Sequence, residues 1–189
     1  MYKITLYSLT LALLTIPASA HPGNWTGNIN AFLGMKYFDS DDWMEEFQEQ
    51  AEGGILFDIK KNGWPVCLVF ESMYSMDEDE VLGVDIEVST SEVFLGGGKT
   101  WAQNSTIRPF VRAGINIIAV EQKNNFGSQS ETFDESATGY AVSGGVYWTL
   151  DQHFNLGIGI RYSKAEIDFD TFEVEAGGTH SGLVIGYHW

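Results

Sequence analysis

Apolar and polar residues alternate along most of this chain with a period of two, the signature of β-strands with two different faces. The pattern is clearest near the end. Tyr140, Val142, Val146 and Trp148 share one face, and Ala141, Ser143, Gly145 and Tyr147 the other. After Asp151-Gln152-His153 the alternation resumes, with Phe154, Leu156, Ile158, Ile160 and Tyr162 set against Asn155, Gly157, Gly159, Arg161 and Ser163. A last strand places Leu183, Ile185, Tyr187 and Trp189 opposite Gly182, Val184, Gly186 and His188.

Five earlier strands follow the same plan. Trp25 to Tyr37 carries its apolar residues at odd positions, and Gly53 to Lys60 sets Ile55, Phe57 and Ile59 against Asp58 and Lys60. Lys61-Asn62-Gly63 predicts a tight type I′ hairpin. Pro65 to Met76 opposes Val66, Leu68, Phe70 and Tyr74 to Cys67 and Glu71, and Asp77-Glu78-Asp79-Glu80 is expected to break it. From Val84 the apolar parity switches by Val93 and Leu95, which predicts a bulge near Ser89 to Ser91. Arg108 to Val120 is the fifth strand, followed by an expected polar loop over Glu121 to Ala137. Between the first two strands, Asp39 to Glu52 is acidic, with Trp43, Met44 and Phe47 at the spacing of a short amphipathic turn on a rim.

Eight strands with one apolar and one polar face have two solutions. A soluble barrel, lipocalin-like, turns its apolar face inward; a membrane barrel turns it out to lipid. Connections of alternating length favour an up-and-down transmembrane barrel, with short turns on the periplasmic side. Residue types test this layout. Trp25, Trp64, Trp101, Phe110, Trp148, Phe154 and Trp189 fall at the periplasmic strand ends, an interfacial aromatic girdle containing five of the chain's six tryptophans. Acidic residues gather at the opposite end, 19 of the 26 lying in 39–52, 77–80, 131–135 and 166–175.

The first residues are of another kind. Lys3, the apolar run Ile4 to Ile16 and Ala18-Ser19-Ala20 form a signal peptide over 1–20, which leaves 21–189 as one barrel domain. No run of apolar residues reaches the ~20 needed for a membrane helix. The formal charge of −16 argues against nucleic-acid partners. Cys67, the one cysteine, excludes an internal disulfide and reads as a small apolar side chain in a strand.

The lumen of an eight-stranded barrel is just wide enough for side chains to fill it. The residues expected there include Asn28, Asn30, Lys36, Asp58, Lys60, Glu71, Asp85, Glu87, Arg112, Asn116, Asn155, Arg161 and His188. Both signs are present, so a plug of paired charges is expected rather than an open pore. The outer acids read as a solvated surface or, more sharply, as carboxylates sharing divalent cations with lipopolysaccharide phosphates. Asp39-Ser40-Asp41 lacks the glycine an EF-hand loop requires, and no other cofactor is expected. Catalysis is not expected, since His180 and Ser181 point to opposite faces and no serine is read beside His153 or His188 on its own face.

Trp25-Thr26-Gly27-Asn28-Ile29-Asn30, Gly145-Val146-Tyr147-Trp148, Phe154-Asn155-Leu156-Gly157 and Arg161-Tyr162-Ser163 together resemble the OmpA/OmpX-like class of small bacterial outer-membrane β-barrels. The terminal Tyr187-His188-Trp189 is similar to the aromatic signal by which such barrels reach the insertion machinery, with Trp in place of the commoner Phe. The resemblance implies an outer-membrane location and lipid and lipopolysaccharide as surroundings. A monomer with a structural or surface-interaction role is expected; a narrow solute channel and a lipid-modifying enzyme are the alternatives.

Overall fold

The computed structural model describes residues 24–39, 48–81, 84–102, 105–126, 129–169 and 172–189. The leader and Trp43, Met44 and Phe47 lie outside the described residues. The strands in chain order are β1 (Trp25–Tyr37), β2 (Glu49–Lys61), β3 (Cys67–Val81), β4 (Val84–Thr100), β5 (Ile107–Phe126), β6 (Gln129–Leu150), β7 (Phe154–Lys164), β8 (Glu166–Phe169), β9 (Phe172–Glu175) and β10 (Gly178–His188). Eight close into an antiparallel barrel in the order β1-β10-β7-β6-β5-β4-β3-β2, and β8 and β9 form a separate hairpin. Because β1 pairs with both β2 and β10, the ladder in the barrel wall has no open edge.

The faces lie as a transmembrane barrel requires. Leu95 is 67% and Ile115 62% exposed on the outer wall, together with Leu33, Ile158, Ile160 and Leu183. In water so much apolar area would drive association, whereas hydrocarbon covers it without penalty. The lipocalin-like orientation is thereby excluded.

Two aromatic girdles frame this belt. Trp25, Trp64, Trp101, Trp148 and Phe154 are exposed at the periplasmic edge, and Trp189 lies beside Phe57 with ring centroids 6.1 Å apart. Phe110 does not belong to this set. It points inward and stacks on Tyr147 at 4.5 Å, because it shares the inward parity of Arg108 and Arg112. At the other edge the outward positions of β1, β3, β6 and β7 carry Tyr37, Tyr74, Tyr140 and Tyr162, a second girdle of amphipathic rings.

Beyond the tyrosines the walls continue. β3 runs through Asp77 to Glu80 as far as Val81, and the segment expected as a loop after Val120 is the upper part of the long β5–β6 hairpin. The β3–β4 and β4–β5 ladders run unbroken, so there is no bulge at Ser89 to Ser91. What changes is the surroundings. Above the membrane Ile86, Val88, Ile118 and Val120 face inward, and Ala165, Ile167 and Ala176 around β8–β9 pack on the last two. The inside becomes apolar and the outside polar, as in a water-soluble sheet. Asp85 and Glu87, expected in the lumen, therefore lie on the outer face. Glu87 and Glu121 bind Lys123 there at 3.2 and 2.8 Å, which raises the pKa of its ammonium.

The turns also differ from expectation. Gly63 has φ 89° but Asn62 is not left-handed, and the ladder resumes only at Ile59–Leu68, so this connection is wider than a type I′ turn. Paired positive φ angles, which that turn needs, occur instead at Asp151 and Gln152, at 47° and 66°.

Candidate functional site: the lumen network

Inward positions of the eight barrel strands converge on one polar network, closed at the periplasmic end by amides. Asn28 donates to Asp58 at 2.7 Å, Asn155 donates to the side-chain oxygens of Asn28 and Asn30, and Thr149 donates to Asn155. Arg108 donates through Nη2 to Asn28 at 3.0 Å and Asn155 at 2.6 Å. His188 sits at this mouth, within 2.8 Å of the Gly27 carbonyl oxygen, and Lys60 lines the cavity beside it.

Halfway along, charges take over. Arg112 donates to Glu71 at 2.6 Å, Asp58 at 2.9 Å and the Tyr147 hydroxyl at 2.6 Å. Arg161 donates to the other oxygen of Glu71 at 2.5 Å, to Glu92 at 3.0 Å and to Asn116 at 2.7 Å. All of these side chains are buried. Each carboxylate is engaged by at least one cation, the condition under which buried charge is tolerated.

Toward the extracellular end, Lys36 donates to Glu92, Thr90 and the Ala176 carbonyl at 2.8, 3.2 and 3.1 Å. Gln50, Ser75 and Thr90 bond one another beside it. Ser163 Oγ lies 3.0 Å from His180 Nε2, and His180 Nδ1 lies 2.8 Å from Glu52. His180 and Ser181 do point to opposite faces, and the serine that shares a face with His180 is Ser163, a pairing the sequence pattern does not single out. Ser163 comes from the neighbouring strand, where His180 is in register with Arg161, two residues from it. The spacing of a nucleophile, base and orienting acid is present. Access is absent: all three side chains are buried, and Ser163 Oγ also donates toward Glu92 at 3.3 Å.

Lumen glycines make room for lumen rings. A Cβ on Gly96 would come within 2.6 Å of the Phe94 ring and 2.4 Å of the Ala113 carbonyl oxygen, and one on Gly145 would meet Phe110. The remaining space is small. A cavity of about 20 Å³ beside Phe32, Phe110, Ser143 and Arg161 has room for a single water, and Ser143 Oγ and Arg161 Nε, which lack protein partners, suit it.

Of the expected lumen residues, Lys36, Asp58, Glu71, Arg112, Asn116 and Arg161 lie in this network and Lys60 at its mouth. Asp85 and Glu87 do not. The expected set omits Glu52, Glu92, Arg108, Tyr147, Ser163 and His180. Parity could have supplied each of them: Glu92 and Arg108 fall in phase with Phe94 and Arg112, and Glu52 with Asp58. Glu52, counted among the outer acids, is inside because β2 begins at Glu49 rather than near Gly53.

No protein-family model matches the chain, and no curated protein matches it by sequence. Solved structures do match its fold. The attachment invasion locus protein Ail of Yersinia pestis, solved in complex with the heparin analogue sucrose octasulfate, is 14% identical over 88% of this chain and 99% of its own, with a TM-score of 0.59. A major outer membrane protein of Thermus thermophilus is 9% identical over 87% and 99%, with a TM-score of 0.55. OprG of Pseudomonas aeruginosa is 16% identical over 88% and 96%, with a TM-score of 0.51. At these identities the likeness is one of fold: the chain has the architecture of the small outer-membrane β-barrels.

Proposed function

We propose that this chain is a Gram-negative outer-membrane barrel with a structural and surface-interaction role, sealed along its axis and presenting an acidic sheet outside the cell. The observation that carries the reading is the filled lumen. Glu71, Glu92, Arg112 and Arg161 bridge the barrel in one buried network, and the cavity beside Phe110 and Arg161 within it is only about 20 Å³. Opening a pore means separating desolvated ion pairs, which costs several kcal/mol per uncompensated charge.

The extracellular part of the sheet supports the surface role. Glu78, Asp85, Glu87 and Glu121 lie on its outward face, while apolar residues inside keep it rigid. No cluster of three or more metal-ligating side chains occurs among the described residues. Divalent cations at this rim would therefore be shared with lipopolysaccharide phosphates rather than caged by protein. The role is non-catalytic, because the Ser163–His180–Glu52 chain has no room for a substrate, and monomeric, because the closed ladder needs no partner in the membrane.

Planar-bilayer recording tests this reading. Purified protein should show no stepwise conductance, and Glu71→Ala should introduce it. Steps in the unmodified protein whose size changes on Arg161→Ala would replace the sealed scaffold with a channel.

A further inference from the structure

Glu52 is unlike the other carboxylates of the lumen. Asp58, Glu71 and Glu92 each pair with an arginine or lysine, whereas the one partner of Glu52 among the described residues is His180, whose Nδ1 lies 2.8 and 3.0 Å from its two oxygens. Both side chains are buried, His180 completely. A neutral imidazole bonds such a carboxylate but does not balance it, and a buried charge without its opposite is costly.

The charges of the network point the same way. Glu52, Asp58, Glu71 and Glu92 face three ion-paired cations, Lys36, Arg112 and Arg161, while Arg108 is held by amides at the periplasmic mouth. A protonated His180 makes the count even. Its second nitrogen is placed for this: Nε2 lies 3.0 Å from Ser163 Oγ and 3.5 Å from Glu92. Ser163 Oγ donates toward the same Glu92 oxygen, which leaves it free to accept from the ring. Each ring nitrogen thus has a carboxylate before it. The groups that oppose the charge are Lys36 and Arg161, in register with His180 on β1 and β7, and both are engaged by Glu92.

This cluster lies where the β8–β9 hairpin leaves the wall. Ser163 comes just before Ala165 and His180 just after Ala176, and the Ala176 amide donates to the Ala165 carbonyl at 3.0 Å. Ala165, Ile167 and Ala176 seat the hairpin on Ile118 and Val120, and Lys36 holds the Ala176 carbonyl at 3.1 Å. We infer that His180 is a proton-controlled latch for this hairpin. Protonated, the ring ties β10 to β2 through Glu52 and keeps the outer end of the lumen dry. Deprotonated, it leaves Glu52 buried without a counter-charge, so water enters beneath the hairpin and unseats it. The sign follows from imidazole chemistry: histidine loses its charge as pH rises through about 5 to 8, so the latch holds on the acid side and slackens on the alkaline side.

Cysteine accessibility tests the latch. Ile167→Cys, at a buried position, and Glu166→Cys, at an exposed one, are placed singly in the whole chain with Cys67→Ser, reconstituted into lipid bilayers and labelled with a water-soluble maleimide. The ratio of the two rates removes the pH dependence of the thiol itself. Between about pH 6 and about pH 9 the ratio should rise about tenfold in favour of the buried site, as release of a buried ion pair implies. With Glu52→Gln added, which keeps the shape but needs no counter-charge, the ratio should stay flat. If the Ile167→Cys chain fails to fold, the imidazole ¹⁵N shifts of the unmodified chain in micelles decide: His180 should be an imidazolium at about pH 6 and neutral at about pH 9. A ratio that does not change with pH, a rise that survives Glu52→Gln, or a neutral His180 at about pH 6 would overturn the inference.

Discussion

Glu71 of β3 and Arg161 of β7 meet across the barrel, Oε2 to Nη1 at 2.5 Å, from strands four places apart in the closed ring of eight. They come from diametrically opposite walls, so this contact spans the lumen at its widest. The second oxygen of Glu71 takes Arg112 of β5. One carboxylate therefore holds two guanidinium groups, and the barrel cannot widen without releasing both.

Removing that carboxylate should be among the most damaging single changes in the lumen. Glu71→Ala leaves two buried cations short of a partner, for an expected loss of about 3–5 kcal/mol. Denaturant unfolding in micelles, followed by the heat-dependent shift in gel migration, measures it. Glu71→Gln keeps the shape and one acceptor, and its loss should be smaller.

Neighbouring glycines on β4 should respond in opposite ways. Gly96 faces the lumen, where an added methyl meets the Phe94 ring and a backbone oxygen, whereas the nearest atom to a Cβ on Gly97 is 3.8 Å away. Gly96→Ala should destabilise by about 1–3 kcal/mol and Gly97→Ala by almost nothing, read by the same unfolding assay.

That contrast shows what is legible in the sequence. Strand period, strand number and the direction of each face can be read because lipid imposes strict alternation on every wall residue. Leu156, Ile158, Ile160 and Ile185 occupy the outer face as their parity requires. Reading fails where lipid ends. From Val84 to Val88 the alternation persists with its chemistry reversed, and a change of solvent mimics a bulge. Asp85 and Glu87 look like lumen residues for the same reason. Phe110 suggests the girdle by its position near a strand end, though its parity with Arg112 already points inward. The partners within the network lie beyond pattern reading, because pairs such as Glu71 with Arg161 depend on the shear of the closed barrel. The Ser163–His180 contact likewise needs the β7–β10 register.

Ser163 offers a test of chemistry against structure. Its hydroxyl bonds His180 but is fully enclosed. A fluorophosphonate probe should leave intact protein unlabelled, and Ser163→Ala should cost about 1 kcal/mol, the worth of a buried hydrogen bond. Stoichiometric labelling at Ser163 would make the site a nucleophile.

The apolar wall faces hydrocarbon while the polar wall fills the lumen, and on this everything else depends. Nitroxide labels placed singly at Leu95, Ile158 and Leu183, in a Cys67→Ser background reconstituted into lipid bilayers, measure it most directly through collision with oxygen and with a water-soluble nickel chelate. All three labels should be open to oxygen and shielded from the chelate, with a label at Glu87 showing the reverse. Chelate accessibility at Ile158 and Leu183 equal to that at Glu87 would place those residues in water and contradict the account.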